Sequence, residues 1–381
     1  MQPITLFLQD LNGGGAERVM LQLANGLARR GRAVELLLVN PVGPYRSAVD
    51  PGVRVVPLGA GRTLAAVPAV ARHLRATRPA ALVAALPHVN VAAVLARALS
   101  GTGTPVILTE HSQPGQARRN ARTAAVRLAH RLVPLAYRAA DAVVAVSGGV
   151  AEELAALTGL PPRRIAVVPN AVVSDDLLRR AAEPVEHPWF ADASTPVIVS
   201  CGRLAWPKDF GTLIRAFTLL RRERPARLMI LGEGPDRAAL EHLAAHLGVA
   251  GDVALPGFAG NPFAVMSRAA VFVLASVSEG MPTVLIEAMA CGTPVIASDC
   301  TVGPRDLLEG GRLGRLVPVG DAEALSLALR ATLDGRPDVE PARAKAWRHS
   351  VDNAVDAYLD VMSGCGGARR GSRDEAAGER A

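Results

Sequence analysis

The sequence predicts an α/β chain of two doubly wound, parallel-sheet domains facing a cleft, and three observations carry that expectation. Short apolar runs alternate with helical stretches from residue 2 onward, the βαβ pattern of a parallel sheet. The pattern stops at a polar, Pro-containing stretch near residues 174–195 and restarts beyond it. Half of the 381 residues are apolar but 3% are aromatic, so Ala, Val and Leu fill the cores, which suits sheets covered by helices on both faces. The length exceeds one ordinary core and fits two domains.

In chain order, "ITLFLQDL" reads as a strand, "AERVMLQLANGLARRG" as a helix ending at Gly31, and "AVELLLVN" as the next strand. "VRVVPL", "AALVAAL", "PVILTEH", "DAVVAVS" and "IAVVPN" follow as strands with helices between most of them. After the polar stretch come "PVIVSCGRL", "ARLMILGEG", "VALPGF", "VFVLAS", "TPVIASD" and "RLVPV". The expected domains are residues 1–180 and 196–345. A helix over 342–363 closes the pattern, its 346–363 part returning to the first domain, and the small, charged residues 364–381 are expected to be disordered. In such sheets ligands bind outside the carboxyl ends of the strands.

The stretch "PAALVAALPHVNVAAVLA" between Arg78 and Arg97 is uncharged over 18 residues, yet it holds Pro79, Pro87, His88 and Asn90. It reads as a buried strand, a loop and a helix rather than a membrane span. The N-terminus lacks a basic region followed by a small-residue cleavage site, so no signal peptide is expected and the chain reads as cytoplasmic. Cys201, Cys291, Cys300 and Cys365 show no C-x-x-C pair and no histidine at zinc-ligand spacing, so no structural metal is expected. Charge is uneven: residues 1–180 carry 21 Arg against 10 acidic residues, a net +11, while the remainder carries 21 basic against 25 acidic residues. The N-terminal half is thus expected to meet an anion. Few aromatics and no recognisable nucleic-acid motif argue against nucleic acid, leaving an anionic membrane surface or a phosphate-bearing, lipid-linked acceptor. The stretch 117–138, with Arg118, Arg119, Arg122, Arg127, Arg131 and Arg138, is the candidate contact, interrupted by Pro134; a solvated helix face explains it equally well.

Three motifs carry chemistry. "NGGGAER" at 12–18 lies where a strand turns into a helix, so Gly14 and Gly15 would let backbone N–H groups approach a ligand at the positive helix end. It lacks the third glycine of a dinucleotide fingerprint, Arg18 standing there instead. "CGRLAWPKDF" at 201–210 follows another strand and holds Lys208, one of two lysines against 40 arginines, beside Arg203. A compact ammonium and a forked guanidinium suit a phosphate. In "SEGMPTVLIEAMACGTPVIASD", 278–299, Glu279 sits on a loop after a buried strand and Glu287 about one turn inside a helix opening near Thr283. The free N–H groups of that helix suit an anion, and the two carboxylates could hold hydroxyls on either side of it. Taken alone, two glutamates near a helix N-terminus also make ordinary electrostatic sense.

The ordered set "CGRL…K", "LGEGP", "LPGF", "SEGMPTVLIEAMACGTPVIASD" and "VGPRDLL" resembles the retaining glycosyltransferases of family 4 with the GT-B fold, two Rossmann-like domains facing a cleft, over nearly the whole chain to about residue 360. The resemblance implies that Arg203 and Lys208 bind the donor diphosphate and that Glu287 holds the ribose. It implies that Glu279, with the backbone of Gly280, Met281 and Thr283 after it, faces the transferred sugar. Gly14 and Gly15 would lie under the diphosphate and reaction centre, and His111 of "TEH" would contact the donor sugar. Departures from the family pattern are Trp206-Pro207 before the lysine and Asn170-Ala171 in place of Asn-Gly. The "SDCTVGPRDLL" segment is similar to members that build bacterial surface polysaccharides from UDP-N-acetylhexosamines.

The expected function is therefore transfer of a hexose or N-acetylhexosamine from a nucleotide-sugar donor, a UDP-sugar by the resemblance, to a glycan or lipid-linked acceptor. No Asp-x-Asp stands in the sequence to hold a divalent ion, and the cations at 203 and 208 serve the leaving group, so no metal and no cofactor are expected. The location expected is the cytoplasm, peripheral on the inner face of the membrane. A nucleotide-sugar epimerase and a non-catalytic nucleotide-sugar-binding protein are the alternatives. A phosphorylase using pyridoxal phosphate lacks a spare lysine.

Overall fold

The computed structural model describes residues 2–378 apart from 13, 113, 114, 116–123, 193, 301 and 336, with backbone alone for 124–130 and 366–378. The chain forms two compact units, Met1–Ala171 with Val351–Ala381, and Val172–Ser350.

The first unit is built on seven strands: β1 (Ile4–Leu8), β2 (Val34–Leu38), β3 (Val53–Pro57), β4 (Ala81–Ala85), β5 (Val106–Glu110), β6 (Ala142–Ala145) and β7 (Ile165–Val167). All pair in parallel in the order β3-β2-β1-β4-β5-β6-β7, with Ile4 level with Val34 on one side and Ala81 on the other. Four of these strands are buried at every residue, so their runs of Val, Leu, Ile and Ala do not alternate with polar residues, as double coverage requires. The covering helices are α1 (Gly15–Arg29), α2 (Val67–Thr77), α3 (Pro87–Ser100), α4 (Ala124–Ala139) and α5 (Gly148–Thr158). The sequence expects a break at Pro134; α4 runs through it. Arg118, Arg119 and Arg122, the centre of the basic stretch, lie outside the described residues, and of Arg127 the backbone alone is described.

The second unit holds α6 (Asp175–Ala181), β8 (Val197–Cys201), α7 (Phe210–Arg221), β9 (Arg227–Leu231), α8 (Arg237–His246), β10 (Val253–Gly257), α9 (Pro262–Met266), β11 (Val271–Leu274), α10 (Thr283–Ala290), β12 (Val295–Ser298), α11 (Pro304–Leu307), β13 (Arg315–Val317), α12 (Ala322–Gly335) and α13 (Glu340–Ala346). Its strands are parallel in the order β10-β9-β8-β11-β12-β13. One core cluster gathers α10, α6 and α13 against the sheet, the other α7, α8 and α12.

Two boundaries differ from the sequence expectation. The polar stretch after residue 173 is not a bare linker. Ser174 accepts a hydrogen bond from Leu177 N, Asp175 and Asp176 favour the helix start, and Leu177 and Ala181 are buried in the second unit. The unit border accordingly falls at Ala171/Val172, where Val172 N and Val173 N both donate to His349 O. The single helix expected over 342–363 is two, α13 and α14 (Val351–Gly378), broken around Ser350. From α14, Val351, Ala354, Val355, Tyr358 and Cys365 enter the core of the first unit, and Arg30 pairs with Asp352 and Asp356. The backbone of α14 stays helical to Gly378, where disorder is expected from residue 364.

Candidate active site

In both sheets the chain reverses its direction of strand addition once, between β8 and β11 in the second unit and between β1 and β4 in the first. Loops leaving the carboxyl ends on either side of such a point diverge and open a crevice, where ligands of this architecture bind.

In the second unit the crevice is bordered by the loop after β8 and the loop after β11. The first is tied down by Gly202 N to Leu231 O, Leu204 N to Glu233 O, and Lys208 N to Ala205 O. Asp209 ends it with a left-handed backbone (φ 47°), and its carboxylate caps α7 by accepting from Thr212 N. The two loops are stitched together by Val277 N donating to Pro207 O at 2.9 Å. Lys208 Nζ reaches across and donates to Glu279 Oε1 at 2.6 Å, both side chains being mostly buried. Ser276 Oγ donates to the same oxygen at 2.6 Å. The Cys300 thiol donates to Ser276 O, and burial, then the Glu279 charge, push that thiol up to about 12.

After Glu279 the chain turns through Gly280, Met281 and Pro282 into α10. Leu285 N and Ile286 N bond back to Pro282 O, whereas the N–H groups of Thr283 and Val284 donate to no carbonyl among the described residues. They form the positive end of the helix. Gly303 holds the turn from the other side. Its φ is 93°, and a Cβ there would lie 2.9 Å from Gly280 O and 3.0 Å from Pro282 Cδ. Glu287 lies one turn into α10 and is 1% exposed; its charge, after burial, raises the neighbouring Cys291 thiol to about 12. Arg203 stands exposed on the same loop as Lys208. Of the predicted donor residues, then, Lys208 and Glu279 are in direct contact, with Gly280, Met281 and Thr283 continuing from Glu279. Ser276, Cys300 and Gly303 belong to the same cluster and were not singled out by sequence. Cys300 and Gly303 lie within the "SDCTVGPRDLL" segment without a signal that marks them individually, and Ser276 has no motif of its own.

In the first unit Gly14 is the N-cap of α1 and Gly15 its first residue. A Cβ on Gly14 would lie 2.1 Å from Glu17 Oε2, so the glycine makes room for that carboxylate. Burial raises the Glu17 carboxyl above the usual range, and its own backbone N–H pulls it back. His111 follows β5, with Nε2 3.1 Å from Thr109 Oγ1. Thr109 gives its hydroxyl proton to Ala84 O at 3.0 Å, so the imidazole supplies the N–H of the pair from Nε2. Burial lowers His111 to about 4, against a smaller upward pull from Asn170, so the ring is neutral at pH 7. Beneath it Glu110 is 1% exposed, its carboxyl raised by burial, and accepts from Tyr137 OH at 2.8 Å and Ser112 Oγ at 2.9 Å. Tyr137 OH in turn accepts from Asn90 Nδ2 at 2.7 Å. This buried chain fixes the end of β5 from which His111 projects.

Two all-parallel, doubly wound units, each with polar residues at its switch point, define the class of two-domain α/β ligand-binding proteins. The model of "Glycosyltransferase Family 4" matches residues 13–176, and that of "Glycosyl transferases group 1" matches residues 195–334. The chain belongs to glycosyltransferase family 4 and has the GT-B fold. It is 30% identical over 230 residues to the N-acetylgalactosamine-N,N'-diacetylbacillosaminyl-diphospho-undecaprenol 4-alpha-N-acetylgalactosaminyltransferase of Campylobacter jejuni, covering 60% of each chain. It is 28% identical over 361 residues to the lipopolysaccharide core biosynthesis glycosyltransferase LpsE of Rhizobium meliloti, covering 92% of this chain and 96% of that one. The match to an uncharacterized glycosyltransferase of Methanocaldococcus jannaschii spans 36% of that relative, at 36% identity. Among solved structures, Anabaena HepE in complex with UDP and glucose superposes with a TM-score of 0.80 at 20% identity, covering 95% of this chain and all of that one. No helix among the described residues is long and apolar enough to cross a membrane.

Proposed function

We propose that the chain is a retaining glycosyltransferase that moves a hexose or N-acetylhexosamine from a UDP-sugar to a glycan or lipid-linked acceptor in the assembly of cell-surface polysaccharide or lipopolysaccharide. The observation that carries this reading is the Lys208–Glu279 pair at the switch point of the second sheet, directly before the open N-terminus of α10. Lys208, Arg203 and the N–H groups of Thr283 and Val284 would take up the charge that builds on a departing diphosphate, which is the service a divalent metal otherwise gives. Glu287 would hold the ribose hydroxyls, and Glu279 would position the hydroxyls of the transferred sugar without forming a covalent intermediate. The leaving oxygen then takes the acceptor proton on the face it departs from, so an α-linked donor gives an α-linked product. The printed names of the Campylobacter and Rhizobium relatives, and the UDP bound to Anabaena HepE, support the donor and acceptor classes. Neither an epimerase nor a non-catalytic binding protein gains support from those names. A lipid-linked acceptor would hold the enzyme at the cytoplasmic face of the membrane, where the +11 of residues 1–180 would be drawn to anionic lipid.

The test is UDP release from a panel of UDP- and GDP-sugars with lipid-linked glycan acceptors, followed by proton NMR of the product. The reading expects a UDP-sugar as donor, an α anomeric proton and full activity in EDTA. A β product overturns retention, and loss of activity restored by magnesium or manganese overturns the metal-free site.

A further inference from the structure

The first sheet has its own switch point, and side-chain hydrogen bonds join residues that meet there. Gln9 follows β1, and His88 opens α3 directly after β4. Gln9 Oε1 accepts from His88 Nε2 at 2.7 Å and from Thr63 Oγ1 at 2.9 Å, Thr63 being buried after β3. The backbone is held as well, since Gln9 O accepts from Asn40 N at the end of β2. Residues that follow β3 and β4 thus converge on the carboxamide of the residue that follows β1, while Asn40 after β2 holds its main chain. Both lone pairs of the carboxamide oxygen are used, while its NH2 group donates to nothing among the described residues. The backbone is strained at the same place. Leu86, the residue joining β4 to α3, has φ 80°, a region that non-glycine residues avoid and that persists where the surroundings enforce it. It delivers Pro87 and His88 to the first turn of α3.

We propose that the Gln9 carboxamide, oriented by Thr63 and His88, donates its NH2 hydrogens to hydroxyl oxygens of the acceptor's terminal sugar. This rests on the glycosyl-transfer reading and adds the chemical class of what the first unit recognises: an uncharged, hydroxyl-bearing sugar rather than the acceptor's phosphate. A phosphate subsite calls for guanidinium or ammonium groups, and none takes part in the Gln9 hydrogen bonds. Directional donors placed against hydroxyls discriminate sharply between sugars, because a partner of the wrong geometry leaves them unpaired.

The test uses the full chain and octyl glycosides of glucose, galactose and N-acetylgalactosamine as probes, with binding read by saturation-transfer NMR titration, which needs no turnover. Gln9→Glu keeps the shape but replaces the NH2 donors by an acceptor oxygen. It is expected to weaken binding of the preferred glycoside about tenfold or more, while UDP affinity, measured by calorimetry, stays within about twofold. Thr63→Val, which removes one anchor from Gln9, is expected to weaken the same glycoside by a smaller factor and serves if Gln9→Glu proves unstable. Glycoside binding unchanged in both variants overturns the proposal. So does wild-type binding of inorganic pyrophosphate in place of every glycoside, or a loss of UDP affinity equal to the loss of glycoside affinity. Wild-type protein that binds glycosides through Gln9 yet releases no UDP from any donor would instead overturn the transferase reading and leave the sugar site standing.

Discussion

Lys208 Nζ and Glu279 Oε1 stand 2.6 Å apart across the point where the second sheet reverses its strand order. The ammonium that would grip a diphosphate is held by the carboxylate that would meet the sugar. Each therefore keeps the other in place.

That pairing fixes the first prediction. Lys208→Ala removes a charge-assisted contact of ~1.5–3 kcal/mol, so UDP binding is expected to weaken about 10- to 150-fold by calorimetry. Glu279→Gln releases the ammonium, so it is expected to change UDP affinity less than threefold while lowering turnover. The two losses in donor use should not add in the double variant, because the residues touch. Additive effects would mean that the pair does not act as one unit.

Glu287 lies deeper, 1% exposed inside α10. A residue that holds the ribose in ground and transition states alike contributes uniform binding, so Glu287→Ala is expected to raise the donor KM with a small change in kcat. Glu279→Ala is expected to do the opposite. Steady-state kinetics on both variants decides the matter, and a reversed pattern would exchange the two roles.

The alternation of apolar runs and helices exposed both sheets, and the single lysine of the first 344 residues pointed to its loop. The contact between Lys208 and Glu279 was out of reach of pattern, since the residues are 71 positions apart and meet through sheet order. Gln9, Thr63 and His88 are hidden for the same reason: each is a lone polar residue, separated from its partners by 54 and 79 positions. The signal that could have found Gln9 is its place directly after the first strand, where the switch-point rule sends a ligand. The division between α13 and α14 was invisible because what interrupts the helix is a long-range demand, two N–H groups from Val172 and Val173 seeking His349 O.

Gly303 supports the turn before α10, and its backbone is the reason for its identity. Gly303→Ala would combine a φ of 93° with contacts of 2.9 Å to Gly280 O and 3.0 Å to Pro282 Cδ. The expected cost is ~1–3 kcal/mol of stability, seen as a lowered Tm, together with weakened UDP binding as the 280–282 turn shifts. Unchanged Tm and UDP affinity would show that the turn is held by other contacts.

The last prediction concerns acid. His349 is buried at the end of the second unit, its Nδ1 has no hydrogen-bond partner among the described residues, and burial, aided by the Lys345 charge, lowers its pKa to about 4. His111 in the first unit is lowered to about 4 as well, chiefly by burial. In the unfolded chain both titrate near ~6.5. Between those values the unfolded chain binds protons that the folded chain refuses, so this contribution to stability is complete above about pH 6.5 and drains away as pH falls toward 4. Each imidazole accounts for on the order of 3 kcal/mol across the window. His349→Gln removes one titrating group, while the main-chain bonds to residue 349 need no imidazole. Its Tm is therefore expected to fall less steeply than the wild type's between pH 7 and pH 4.5 in calorimetric scans. Carboxyl groups such as Glu110 and Glu17 contribute to both proteins alike and cancel in the difference. Parallel pH profiles would show that His349 protonates without opening the fold.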